Sequence, residues 1–220
     1  MQRYALPWVV LVSPGAGWRT LSVQQHASAW PALLYQALLL LLGWMAARRP
    51  MAELAEVSGI GKAGQGPGAF LLGTIALVVA LVVLAGLLRF ALAIVGGSTG
   101  VGHIFTWLAF GITPLFVGRF LGLLSFAVFQ PLAKDRSDAL ALQMNPLGIS
   151  LTSLFHPLSL PWTMASALDV FALWSFTILA IGAVHYLRLT PPRVAAVLGT
   201  LLLIWLLTLT LVWQGLQRSL

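Results

Sequence analysis

Residues 69–95 read AFLLGTIALVVALVVLAGLLRFALAIV, a run of 27 residues whose one charge, Arg89, stands near its end. About 20 apolar residues in a helix cover the hydrocarbon core of a bilayer, so this run is long enough to cross it. The alternative, a buried helix of a soluble protein, would need a polar partner layer, and the sequence has none. Four further stretches fit the same reading. They are 30–47, with Trp30 and Trp44 as interfacial anchors and Arg48-Arg49-Pro50 at its end; 101–129, with Arg119 and a kink expected at Thr113-Pro114; 166–187, with Asp169 in its first turn; and 194–213.

Composition agrees with a membrane chain. The 220 residues hold 12 Lys and Arg, 5 Asp and Glu, and 60% hydrophobic residues. Only 8% are charged, against about 25% in an ordinary soluble domain, too few to clothe a water-soluble globule. Disorder is excluded by the same surplus of apolar side chains. The net charge of +7 comes from cations scattered between apolar runs. They read as membrane flanks, and nucleic acid is not expected as a partner. With no Cys, zinc ribbons, iron–sulfur clusters and thiol nucleophiles are absent. The expected fold is an all-α integral membrane protein of about five transmembrane helices over residues 29–220.

Residues 1–28 are expected to form an interfacial segment. Ala5 to Val12 is a short apolar run broken by Pro7 and closed by Ser13-Pro14-Gly15. Trp8, Trp18 and Leu21 would be wetted on one side, with Arg3 and Arg19 towards head groups. Residues 96–100, Gly-Gly-Ser-Thr-Gly, are a tight turn that makes the second and third spans antiparallel neighbours. The third loop, residues 130–165, carries the cluster Lys134-Asp135-Arg136-Ser137-Asp138. Its apolar stretch Leu147–Leu160 is broken by His156-Pro157 and reads as an amphipathic helix on the bilayer. Counting Lys and Arg gives four on the side of the N-terminus and six on the other, which leaves orientation open.

Candidate chemistry is sparse. Asp169 is the one acid within an expected span, and Arg119, at similar depth on the neighbouring span, is its expected partner; capping the helix is the alternative role for Asp169. Gly118 and Gly122 form a GxxxG face, with Gly111 two turns earlier, which suits close helix packing. The segment Gly59–Gly68 resembles a phosphate loop but has Ala63 after Lys62 and lacks the first glycine, so it reads as a linker. His26, His103, His156 and His185 have no ligand spacing, and no Gly-x-Ser-x-Gly elbow exists. No catalytic, metal or cofactor residues are expected, and the chain is read as not an enzyme.

The fourth span reads Leu168-Asp169-Val170-Phe171-Ala172-Leu173-Trp174-Ser175-Phe176, followed by Leu179-Ala180-Ile181-Gly182-Ala183. This resembles bacterial members of the Yip (Ypt-interacting protein) family, whose acid-apolar-Phe-x-x-Trp stretch leads into Leu-x-x-Ile-Gly. The opening Val12-Ser13-Pro14-Gly15-Ala16-Gly17-Trp18-Arg19 is similar to that family's first segment. The resemblance implies a five-span helical domain with a cytoplasmic N-terminus in the bacterial inner membrane. It implies an accessory or assembly role beside a larger membrane complex, with an ABC-type exporter as one such complex. The Asp-Leu-Tyr-Gly-Pro segment of the relatives that bind small GTPases is missing, and binding of a small GTPase is not expected. Asp169 and Trp174 would then fix span four at the interface. Membrane lipids and other integral membrane subunits are the expected partners. Two rivals stay open: a small transporter or channel, with Arg119, Asp169 and the Pro114 kink lining a polar path, and a membrane-shaping or lipid-binding protein working through its interfacial segments.

Overall fold

In a computed structural model, residues 6–23, 28–58, 67–94, 99–129, 161 and 169–219 are described. They form helices α1 (Leu6–Val12), α2 (Pro14–Val23), α3 (Trp30–Ser58), α4 (Pro67–Ile94), α5 (Val101–Gly111), α6 (Thr113–Phe129), α7 (Val170–His185) and α8 (Pro191–Ser219), with no strand among the described residues. The fold is therefore all-α. Four stretches are long and apolar enough to cross a membrane: Trp30–Arg49, Ile75–Ile94, Val101–Ser125 and Pro191–Thr208. Within the stretch expected at 166–187 the described residues form α7, an apolar helix of 16 residues, about 24 Å at 1.5 Å per residue. Residues 166–168, the amphipathic helix expected over 147–160 and the linker residues 59–66 lie outside the described residues. At Arg48-Arg49-Pro50 the apolar stretch stops but the helix does not; α3 continues to Ser58.

Contacts fix the directions of the helices. Gln36 of α3 meets Ala109 and Thr113, and Gly43 lies against Phe120 and Leu123, so α3 runs parallel to α5 and α6. Gly111 meets Leu179 while Gly118 meets Phe171, so α7 runs antiparallel to that pair. α4 packs on α5, and α8 packs on both α4 and α7.

The kink expected at Thr113-Pro114 lies between α5 and α6, with Ile112 at φ −85° and ψ −2°. Pro114 has no N–H to return to the carbonyl four residues earlier, so the helix is interrupted there. The bundle satisfies part of the break from outside. Gln36, fully buried on α3, donates through Nε2 to the Ala109 carbonyl and, at 3.1 Å, to Thr113 Oγ1. Thr113 Oγ1 itself donates to the same carbonyl at 3.2 Å.

The first two helices depart most from expectation. Pro14 opens α2 at a position where its missing N–H costs nothing. The chain folds back so tightly that a Cβ on Gly17 would stand 2.8 Å from the Val10 backbone. The hairpin is embedded in the bundle: Trp18 is 0% and Leu21 1% exposed, packed with Ile104, Trp107, Phe110 and Ile178. Both residues were expected on a wetted face. An indole and a leucine that find an apolar socket among helices lose more water contact there than at a half-wet interface. Trp8 does keep an exposed face and packs edge-on against Tyr35, ring centroids 5.4 Å apart.

Candidate functional site

The centre of the molecule is the seam where α2 and α5 meet α7. Two indoles, one from each side, hold consecutive carbonyls of α7: Trp18 Nε1 donates to the Ile178 oxygen at 3.0 Å, and Trp107 Nε1 donates to the Leu179 oxygen at 2.9 Å. Both bonds are buried, so neither competes with water, and both ends lose a partner if either is removed. Gly182 lies one turn further along α7. A Cβ there would come within 2.5 Å of Trp18 Cε2 and 2.8 Å of Trp107 Nε1 and Cδ1. Only a residue without a side chain lets the two rings close over the helix. Phe110 and Tyr186 flank Trp18 with ring centroids at 6.1 and 5.5 Å. The seam is packed with side chains.

The expected site residues fall at the other end of that seam. Asp169 is the N-cap of α7, with extended backbone (φ −89°, ψ 175°), and its Oδ1 accepts from the Ala172 N–H at 2.7 Å. Arg119 stands exposed on α6. The contact between Gly118 and Phe171 puts the two residues at one level, yet no ion pair joins them among the described residues. The guanidinium is six residues, or about 9 Å, from the Ser125 end of the apolar stretch, a distance its long side chain reaches by snorkelling. Gly118 seats the Phe171 ring, 2.6 Å from where a Cβ would be. The small face thus packs within the chain, and Gly122 is buried beside it. Pro114 is buried too, whereas Trp174 is 46% exposed. Together with Trp8, Leu11 and Phe171 they line a shallow apolar pocket of about 250 Å³.

Two larger cavities were not legible in the sequence. One, about 500 Å³, opens at the opposite end of the bundle beside Ser28, Trp30, His103, Thr106 and Tyr186, and the His103 ring lies 5.9 Å from that of Tyr186. The other, about 410 Å³, lies between α4 and α8 with α7 as its back wall. Its lining is apolar except for Trp205, Thr208 and Ser175. The Ser175 hydroxyl is buried and has no hydrogen-bond partner. Among the described residues no three His, Cys, Asp or Glu side chains are grouped as a metal would need. A lone serine between apolar residues carries no sequence signal, because the vacancy beside it is a property of the helices that meet there, with Leu108, Ile112 and Leu115 of the α5–α6 pair completing the wall formed by α4, α7 and α8.

Compared with known proteins, the chain is matched over residues 8–213 by the model of the Yip1 domain. No curated protein and no solved structure matches it.

Proposed function

The chain belongs to the Yip1 domain family of membrane proteins, and from that premise we propose that it is a non-enzymatic accessory or assembly subunit of a larger complex in the bacterial inner membrane. The observation that supports this most is the pair α4 and α8. Leu203, Leu207 and Leu211 of α8, and Val79, Val83 and Phe90 of α4, all face outward and are half or more exposed. Among the described side chains of α8, Val197 and Leu201, at one edge, are the ones buried against the rest. In lipid, apolar surface by itself does not drive helices together; fit does. A long, thinly held helix beside an open flank is a surface that partner helices can complete. The middle of the bundle is filled by Trp18, Trp107 and Phe110, which favours a role at the flank over a path through the centre.

An ABC-type exporter is the first complex to look for. Affinity purification of the full chain from native membranes in a mild detergent, followed by mass spectrometry, tests the reading. Stoichiometric recovery of a larger membrane complex is expected, lost when Leu203→Trp and Leu207→Trp are combined on the outer face of α8. Recovery of the bare chain from native membranes overturns it.

A further inference from the structure

Hydroxyls in membrane helices ordinarily turn back onto their own backbone. In this molecule Thr177 donates to the Leu173 carbonyl, Thr200 to Ala196, Thr208 to Ile204 and Thr210 to Leu206, all at 2.8–2.9 Å. Ser175 does not follow. Its residue is 2% exposed, its Oγ has no partner, and it lies in the wall of the 410 Å³ cavity between α4, α7 and α8. An unpaired hydroxyl in an apolar environment is costly, so the position is unfavourable unless something in the cavity accepts its hydrogen. The volume is in the range of sites that hold small molecules, roughly 300–1,000 Å³.

We propose that this cavity holds one chain of a membrane lipid, whose carbonyl oxygen accepts a hydrogen bond from Ser175. The walls are shaped for a chain. Ala80, Leu84 and Leu87 of α4 form one side and Leu201 and Ile204 of α8 the other. Along α7 the lining runs from Ala172 to Leu179, about 10 Å at 1.5 Å per residue. Val83, Leu87 and Leu115 of the lining are also exposed on the apolar outer surface, so an occupant from the bilayer meets the cavity there. Ser175 lies six residues past the Asp169 cap, about 9 Å into the helix. Thr208 gives its hydroxyl to the Ile204 carbonyl, which leaves Ser175 as the buried, unpaired hydroxyl of the lining; a hydroxyl at that depth between apolar walls matches a molecule with a carbonyl and a hydrocarbon tail. A water-soluble ligand would leave its polar atoms unmatched against these walls. Ala80 has no bulk to fill the entrance, and Val83 beside it is 56% exposed.

The test uses the purified full chain in phosphatidylcholine vesicles with a trace of lipid carrying a photoreactive diazirine in its acyl chain. One arm uses a diester phospholipid, a second its diether counterpart, which lacks the carbonyl, and a third a diacylglycerol. Peptides carrying the label are read by mass spectrometry. Wild type is expected to be labelled on the cavity walls, several-fold more by the esters than by the diether. Stronger labelling by the phospholipid identifies a charged lipid as the source, and stronger labelling by diacylglycerol a neutral one. Ala80→Phe or Val83→Trp, each from the exposed side of α4, should cut wall labelling about tenfold. Ser175→Ala should leave labelling in place and abolish the preference for ester over ether, a readout that a merely packing role would not move. Labelling spread evenly over all outer helix faces, or unchanged by both blocking variants, overturns the proposal. Because the chain is labelled alone, failure here leaves the accessory-subunit reading standing, and the reverse holds.

Discussion

The seam of α2, α5 and α7 and the flank of α4 and α8 are built from the same apolar alphabet and behave in opposite ways. Along α7 its own glycine and those that face it are filled closely. Gly182 admits two indoles, Gly111 admits Leu179 with its methyl 2.1 Å from where a Cβ would stand, and Gly118 admits Phe171. At the flank, an added Cβ on Gly86 of α4 or Gly199 of α8 meets nothing within 4 Å. Glycine content therefore says little about packing in a membrane chain; what faces the glycine decides. Side chains that interlock and donate hydrogen bonds specify one arrangement, whereas smooth aliphatic faces leave room for lipid or a partner.

The largest effect that would break this contrast is at Gly182. Overpacking of a filled core costs about 1–3 kcal/mol, so Gly182→Val should lower the melting temperature in detergent more than any other single change here; a melting temperature equal to wild type would mean that the two rings can part. Trp18→Phe and Trp107→Phe come next. Each removes a buried hydrogen bond to a carbonyl that keeps its own helical partner, worth about 0.5–1.5 kcal/mol. Trp18→Phe should also loosen the N-terminal hairpin, read as faster proteolytic cleavage within residues 6–23. Asp169 gives a smaller and more diagnostic change. As an N-cap, its replacement by Ala should cost about 1 kcal/mol, while Asn should be nearly silent. In a double-mutant cycle with Arg119→Gln the two effects should add within about 0.5 kcal/mol, since the residues are not paired; a larger coupling would restore the ion pair. The smallest effect belongs to the flank. Gly86→Ala and Gly199→Ala should be neutral or raise stability by up to about 1 kcal/mol from helix propensity alone, measured by the same thermal unfolding.

Much of the fold was legible because bilayer thickness imposes a length on any apolar run, and that length can be counted. The family, too, was readable from short segments, the Phe171-x-x-Trp174 stretch and the Pro14 to Trp18 opening. The kink at Pro114 was readable because it follows from a missing N–H. The Asp169–Arg119 pair illustrates where counting stops. Depth along the helices was inferred well enough to bring both residues to one level, but level does not give azimuth, and Arg119 faces outward while Asp169 turns back on its own helix. Trp18 and Leu21 illustrate the same limit for burial. The pattern Pro14 to Trp18 allows either an interfacial helix or a buried one, and the choice rests on whether a socket lined by Ile104, Phe110 and Ile178 exists to receive it.

By itself, then, the sequence determined that this is a helical membrane chain, where its apolar stretches run and which family it belongs to. Those properties depend on the solvent that surrounds each segment and on local covalent geometry. Tertiary structure alone decided that the N-terminal hairpin is part of the core, that two indoles grip consecutive carbonyls of α7, and that Ser175 faces a cavity. Each of these is a contact or a gap between helices far apart along the chain, Trp18 and Ile178 being 160 residues apart. In a uniformly apolar sequence no periodicity marks which face meets which, so only the fit of the assembled helices settles it.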